Sequence, residues 1–415
     1  MTSPKTDRRP LVALLTANAI SLAGNQITTL AIPWYVLATG GSAAEVGLVG
    51  FFTILPAVIA GFFGGGIVDR VGRRRVSIVS DLASGLTVTL IPLMHETVGL
   101  HLWQLLILVF CGALLDAPGN NARQSIMPDL IASSGVSSEA ANSAYQTVFR
   151  FAQLLGPIAG GLLIAAIGST NVLWIDALTF LASALIVLRF VPADRPKPRV
   201  QQHYIRELVE GLKFIHADRV LFWLATLVAI MNFIDAALFS VLFPVYVNQE
   251  YDSARVLGIA FGVLGGGGVL GAILFGIWGS RLPRRGTFII CFSCVTLAPL
   301  MLAFNPPLWS LIPVLFIEGV MAGPINPILM VVRQERVPDE LRGRVFGSFG
   351  AMAWVTMPAG VLIGGLAADA IGLSTSFLIG GLVYVATVIG MIVTPSLRDM
   401  GSPRVKQQTP EQVAA

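Results

Sequence analysis

The sequence predicts an all-α membrane protein, with twelve transmembrane helices built as two parallel repeats of six-helix bundles. Three observations carry this reading. Of 415 residues, 55% are hydrophobic and only 12% charged, about half the charged share of a soluble domain, and the mean hydropathy is +0.77. The apolar residues fall into runs of about 20, long enough to cross a bilayer as helices that satisfy their own backbone hydrogen bonds. Landmarks of the first half then recur, in order, in the second.

Spans are expected near 11–38, 44–66, 76–96, 101–121, 139–167, 171–191, 219–248, 255–279, 286–304, 308–331, 345–370 and 373–395. Of the 27 Lys and Arg, Arg255 alone is assigned to the outer side and Arg150 alone to a span interior. The rest adjoin the tails and alternate loops of one side, which the positive-inside rule makes cytoplasmic. Both termini are then expected in the cytoplasm. Nucleic acid is not an expected partner, because it needs a basic face on a folded soluble domain. Met1–Pro10 is polar and basic without a cleavage motif, so no removable signal peptide is expected.

Residues 192–218 interrupt the pattern. Pro192-Ala193-Asp194-Arg195-Pro196-Lys197-Pro198-Arg199 reads as a polar linker, and Ile205, Leu208, Leu212 and Ile215 then recur at helical spacing among charges. The expected organisation is a bundle over 1–191, a cytoplasmic linker with an interfacial helix over 192–218, a second bundle over 219–395, and a cytoplasmic tail over 396–415.

The repeat is specific. Ile32-Pro33-Trp34-Tyr35-Val36 matches Phe243-Pro244-Val245-Tyr246-Val247 at an offset of 211, and the same offset pairs Arg70, Arg73 and Arg74 with Arg281, Arg284 and Arg285. Arg123-Gln124 with Pro128-Asp129 recurs 210 residues on as Arg333-Gln334 with Pro338-Asp339. Gly160-Gly161 and Gly168 recur 204 residues on as Gly364-Gly365 and Gly372.

Several chemistries are not expected. There is no Gly-Lys-Ser/Thr phosphate loop, so any uphill step needs an ion or substrate gradient. Cys111, Cys291 and Cys294 lie in apolar segments, and Cys291 and Cys294 have no second pair to complete a metal site. His95, His101, His203 and His216 fall in loops or at span ends, away from any acid cluster or nucleophile triad. An enzyme, a resident metal and a cofactor are all unexpected.

The loop after span 2 reads Gly65-Gly66-Ile67-Val68-Asp69-Arg70-Val71-Gly72-Arg73-Arg74-Arg75. An acid near a helix end accepts backbone N–H groups and favours a positive terminus. Arginines there tie helix ends together and bind anionic lipid headgroups. Span 5 carries Gly156-Pro157-Ile158-Ala159-Gly160-Gly161, where proline removes a helix hydrogen bond and small residues admit a neighbouring helix.

The loop resembles the signature between helices 2 and 3 of the major facilitator superfamily, a class of secondary transporters, and the resemblance covers nearly the whole chain. It implies a gate made of Gly65, Asp69, Arg70, Gly72, Arg73 and Arg74, with Asp69 capping helix 11 in the outward-facing state. The second copy has Ser280 for Asp69 and Pro283 for Gly72, and is expected to keep only the topological role. Gly156, Pro157, Gly160 and Gly161 are similar to the motif that marks antiporters, although that pattern has glycines where this chain has Ser143 and Ala152.

Ionisable residues within spans are costly and usually functional. Asp235 lies in mid-span 7 on one face with Asn232 and Phe239, and Glu318 in mid-span 10. Arg150 in span 5 is flanked by Gln146 and Gln153, and Asp116 and Asp176 are placed nearer the ends of spans 4 and 6. Because desolvated carboxyls take up protons more readily than solvated ones, Asp235 and Glu318 are the proton-carrier candidates. The alternative is a static pair with Arg150. Asn25 and Gln26 of span 1 align, at offset 211, with Ala236 and Ala237 beside Asp235. Relatives often read Gly-Asp where this chain reads Gly24-Asn25, and an amide carries no proton. Substrate-binding candidates are Asn25, Gln26, Trp34, Gln146, Arg150, Gln153, Asn232, Phe239 and Trp354. Apolar walls with few polar groups suit amphipathic ligands, while packing or lipid-facing roles stay open for the aromatics.

Ala31–Leu37, Val71–Ser77, the Gly156–Gly161 run and Leu341-Arg342-Gly343-Arg344-Val345-Phe346-Gly347 resemble the drug:proton antiporter branch. That branch holds Tap-type multidrug efflux pumps, macrolide efflux proteins and the enterobactin exporter, and the chain resembles Tap-type pumps in patches along its whole length. The resemblance implies a monomer in the bacterial cytoplasmic membrane, exchanging tetracycline-, aminoglycoside- or macrolide-type drugs for protons. The alternative is an exporter of one endogenous compound, such as a siderophore or lysophospholipid.

Overall fold

The computed structural model describes residues 7–193 and 204–401, with the backbone alone for 61–70 and Tyr204. Among these residues, twelve helices are long and apolar enough to cross a membrane, and there is no strand. The contacts gather the chain into two compact units, Met1–Val200 with Phe243–Gly262, and Gln201–Leu242 with Val263–Ala415.

The first half forms α1 (Arg9–Ala38), α2 (Ala43–Val71), α3 (Arg73–Thr97), α4 (Leu102–Ser134), α5 (Ser138–Ile167) and α6 (Ser169–Phe190). The expected end of span 4 at 121 is corrected, because α4 runs on through Pro118 and Pro128 to Ser134. The polar run Asn120-Asn121-Ala122-Arg123-Gln124 reads as loop, yet Ala122, Arg123, Ile126, Met127 and Leu130 are all buried. Ile126, Met127 and Leu130 pack with Leu11, Leu14 and Val187 of α1 and α6, and this packing offsets the roughly 3 kcal/mol that an interior proline costs a helix. The next helix starts cleanly because Ser137 caps α5, its Oγ accepting the Ala140 N–H at 3.2 Å.

The second half forms α7 (Tyr204–Ala217), α8 (Arg219–Tyr251), α9 (Ala254–Trp278), α10 (Arg284–Leu302), α11 (Leu308–Arg336), α12 (Asp339–Ile371) and α13 (Leu373–Val393). Four of these are interrupted. A π-helical turn occupies Leu238–Leu242 in α8, and α10, α11 and α12 break at Thr296, Gly323-Pro324 and Val355-Thr356. Asp218 starts α8 by accepting the N–H groups of Val220 and Leu221 at 2.9 and 3.2 Å, and its carboxylate also pairs with Arg336 at 3.2 Å. α7 docks on the start of α12. The Ser348 hydroxyl donates to the Leu208 carbonyl at 2.9 Å, Arg344 pairs with Glu210 at 2.8 Å, and Ile215 is buried. The linker over 194–203 and the tail from 402 lie outside the described residues.

The sequence repeat is reproduced in the backbone. Gly168 and Gly372 end α5 and α12 with φ of +84° and +85°, a conformation that costs glycine little and other residues more. In each half the first spanning helix lies on glycines of the fifth. Gly156 and Gly160 of α5 sit against Gln26 and Ile27 of α1, and Gly360 and Gly364 of α12 sit against Phe233 and Ala237 of α8. A side chain at Gly156, Gly360 or Gly364 would push the two helices apart, whereas a methyl at Gly160 would meet Ile27 at ordinary contact distance.

Candidate functional site

In the second half, α8, α11 and α13 bring Asp235, Glu318 and Tyr384 together. The Tyr384 hydroxyl donates to Asp235 Oδ1, and Tyr384 and Glu318 are both buried. Glu318 lies within electrostatic reach of Asp235 and Tyr384, and its Oε2 is buried with no hydrogen-bond partner. Among the described residues, no cation pairs with either acid. Two structural devices hold the cluster. Next to Glu318, Gly319 and Gly323 let α11 meet Gly267, Gly268 and Gly271 of α9 backbone to backbone. Asp235 stands one turn before the π-helical Leu238–Leu242, a distortion that recurs at functional sites.

The other candidates on this half are distributed around the cluster. Asn232 Nδ2 donates to the Ala353 carbonyl at 2.8 Å and the Thr356 hydroxyl to the Ala229 carbonyl at 2.8 Å, which pins α8 to the break in α12. Phe239 is half-buried within the π turn, and Trp354, beside the break, is 58% exposed.

In the first half, Asn25 Nδ2 donates to Asp116 Oδ2 at 3.1 Å. Gln26 lies over Gly156, and Gly161 faces the Ala254 carbonyl and the backbone of Gly258. Trp34 is buried in α1. Gln146, Arg150 and Gln153 are exposed on α5, and no ion pair among the described residues includes Arg150. Pro157 lies within the unbroken α5.

Of the gate residues, Gly65, Asp69 and Arg70 have side chains outside the described set. Gly72 turns the chain into α3 with φ of +99°. Arg73 then reaches α4, donating to the Ser125 carbonyl at 2.9 Å and pairing with Asp129 at 3.0 Å, while Arg74 donates to the Leu188 carbonyl of α6. The second copy makes equivalent ties. Arg284 grips Glu335 of α11 with both guanidinium nitrogens, at 2.5 and 2.8 Å, and Arg285 donates to the Ile392 carbonyl of α13 at 2.7 Å.

One buried cluster was not legible in the sequence. Arg123 pairs with Asp81 at 2.6 Å, and the two are 1% and 0% exposed. Ser183 donates to the other Asp81 oxygen at 2.7 Å, and Asn120 links Arg123 to Asp116. The missed signal was an arginine seven residues after an aspartate, hidden because the polar run around it reads as the end of a span.

Twelve apolar helices, a six-plus-six repeat and two acids inside spans that no cation pairs with among the described residues fit a secondary transporter. The chain matches the family described as transmembrane secretion effector over residues 8–413, and it belongs to that family, within the major facilitator superfamily. It is 35% identical to the multidrug efflux pump Tap of Mycolicibacterium fortuitum, over 95% of this chain and 98% of that protein. It is 26% identical to macrolide efflux protein A of Streptococcus pyogenes, over 90% of this chain and 93% of that one. Among solved structures, the nucleoside transporter NupG superposes with a TM-score of 0.73 at 13% identity, covering 92% of this chain and 98% of that one. A bacterial homologue of the iron transporter ferroportin in an inward-facing state reaches 0.70 at 15% identity, covering 93% and 99%. Such low identities establish the fold alone. The protein is a multi-pass secondary transporter of the bacterial inner membrane.

Proposed function

We propose that this transporter exports structurally diverse amphipathic drugs, of tetracycline, aminoglycoside or macrolide type, in exchange for protons by alternating access. The observation that carries the reading is the Asp235–Tyr384–Glu318 cluster, two neighbouring acids inside spans, one of them accepting from a tyrosine hydroxyl, that no cation pairs with among the described residues. A buried carboxyl without a cation is tolerated as the neutral acid and pays heavily as an anion. External protons load Asp235 or Glu318, substrate leaves outward, and the return inward releases the proton. Asn25, Gln26, Gln146, Arg150, Gln153 and Asn232 supply the polar contacts to substrate, and Trp34, Phe239 and Trp354 the aromatic ones. The Gly65–Arg74 loop gates the cytoplasmic side and the Gly156–Gly161 run the antiport movement. Both termini face the cytoplasm, and the protein works as a monomer. The names of the relatives, a multidrug pump and a macrolide exporter, support the substrate class.

The test is drug-driven proton flux in proteoliposomes under an inward ΔpH, comparing wild type with Asp235→Asn and Glu318→Gln. Flux with several unrelated drugs, lost in at least one variant, is the expected result. No flux with any drug overturns the reading and turns the search to a single endogenous substrate such as a siderophore or lysophospholipid.

A further inference from the structure

We propose that Asp116 binds a further exchangeable proton, in the first half of the chain and separate from Asp235 and Glu318. The proposal deepens the proton-coupled reading above and rests on it for its role in transport. Its basis is a count of charges and of hydrogen-bond partners in one buried cluster.

The extension of α4 to Ser134 moves Asp116 from a span end to near the middle of its helix. Its Oδ2 accepts two amide N–H groups, from Asn25 at 3.1 Å and Asn120 at 3.0 Å. Its Oδ1 is sealed from solvent and has no partner. The groups that face it are Asn25 from α1, Asn120 and Arg123 from α4, Asp81 from α3, and Asp176 from α6. Arg123 is the one cation among them. Its Nη1 is committed to Asp81 at 2.6 Å, and its Nη2 donates to the Asn120 carbonyl oxygen at 2.8 Å and the Ser21 hydroxyl at 3.4 Å.

Asp81, Arg123 and Asp116 therefore comprise two carboxyls and one guanidinium. Out of water, an uncompensated charge is far costlier than a neutral acid. Neutrality of these three groups requires one proton, and the hydrogen bonds decide whether Asp81 or Asp116 holds it. Both oxygens of Asp81 are satisfied, Oδ1 by Arg123 and Oδ2 by Ser183 at 2.7 Å. Asp116 has the empty oxygen, and the Asn120 amide stands between it and the guanidinium. The proton sits on Asp116 Oδ1. Asp176 is held separately by the hydroxyls of Thr28 and Thr179, and the one guanidinium nitrogen without a partner, Arg123 Nε, makes no hydrogen bond to Asp116. Release follows when Arg123 keeps Nη1 on Asp81 and swings Nη2 from the Asn120 carbonyl to Asp116. The O–H bond breaks, the proton passes to water, and the carboxylate gains the guanidinium as its counterion.

Infrared difference spectra of the purified, lipid-reconstituted protein, recorded across pH, report protonated carboxyls whatever compound is transported. Wild type is expected to lose a carboxylic C=O band of Asp116 as pH rises. Asp116→Asn abolishes that band, Asp116→Glu shifts it, and Asp235→Asn leaves it in place. An identical set of titrating bands in Asp116→Asn overturns the proposal. Should that variant not fold, Asn120→Ala removes one donor to Asp116 and must shift the band, and an unmoved band is equally fatal. In proteoliposomes, Asp116→Asn is expected to exchange one proton fewer per substrate molecule, and an unchanged ratio overturns the coupling role. If wild type moves no protons with any drug, the antiport reading fails while the infrared band still decides whether Asp116 holds a proton.

Discussion

In the first half of the molecule, Asp81 and Arg123 meet at 2.6 Å with 0% and 1% of their side chains exposed. In the second half, Asp235 accepts from the Tyr384 hydroxyl, Glu318 lies within its field, and among the described residues neither acid pairs with a cation. The two halves share a repeat in sequence and in helix packing, yet the Asp81–Arg123 pair and the Asp235–Glu318 pair solve the problem of buried charge differently. A salt bridge neutralises its members permanently and acts as a strut between α3 and α4. Acids without a cation stay neutral only by holding protons, which leaves them able to exchange.

The sharpest test of this contrast is stability against coupling. Asp81→Asn strands a buried guanidinium and is expected to cost about 3–5 kcal/mol, read as a large fall in melting temperature in detergent. Replacing both partners, Asp81→Leu with Arg123→Met, is expected to recover most of that loss. Asp235→Asn is expected to do the opposite, leaving the melting temperature nearly unchanged while proton-driven flux disappears. Equal melting losses in Asp81→Asn and Asp235→Asn would erase the distinction between strut and carrier.

A smaller effect concerns how Glu318 is held. Gly319→Leu forces α11 off α9, where the backbones touch, and is expected to cost about 1–3 kcal/mol by overpacking together with transport activity. Gly350→Ala is the control. It meets nothing within 4 Å in α12 and is expected to stabilise by about 0.5–1 kcal/mol. Smaller still, Tyr384→Phe removes one hydroxyl and is expected to cost about 0.5–1.5 kcal/mol, and to alter the pH profile of transport by withdrawing the one donor to Asp235 among the described residues. Smallest is Arg206→Ala on α7. Its pair with Glu210 has Arg206 79% exposed, and pairs of this kind contribute below about 0.5 kcal/mol, so melting is expected to be unchanged. A measurable loss there would mean that surface charges on α7 matter as much as buried ones.

Much of the fold was legible because hydropathy is a local property. Each apolar run announces its own span, and Gly168 and Gly372 announce the matching helix ends. Span 4 was shortened because Asn120, Asn121, Arg123 and Gln124 are polar, and a run of polar residues looks the same whether water or other helices satisfy it. That one boundary hid Arg123 inside a helix and placed Asp116 at a span end. Asp235 and Glu318 stood out because each is an isolated acid in an apolar run. Tyr384 did not, since a tyrosine in a span is ordinary until a carboxylate is found beside it.

By itself the sequence determined the twelve spans, the six-plus-six repeat and the acids worth watching, because burial of apolar surface accumulates residue by residue along each segment. The tertiary structure alone decided which acid meets which partner. Asn25 reaches Asp116 across 91 residues, Asp81 reaches Arg123 across 42, and Tyr384 reaches Asp235 across 149. Hydrogen bonds weaken steeply with small errors of distance and angle, and that geometry exists only once the helices are packed.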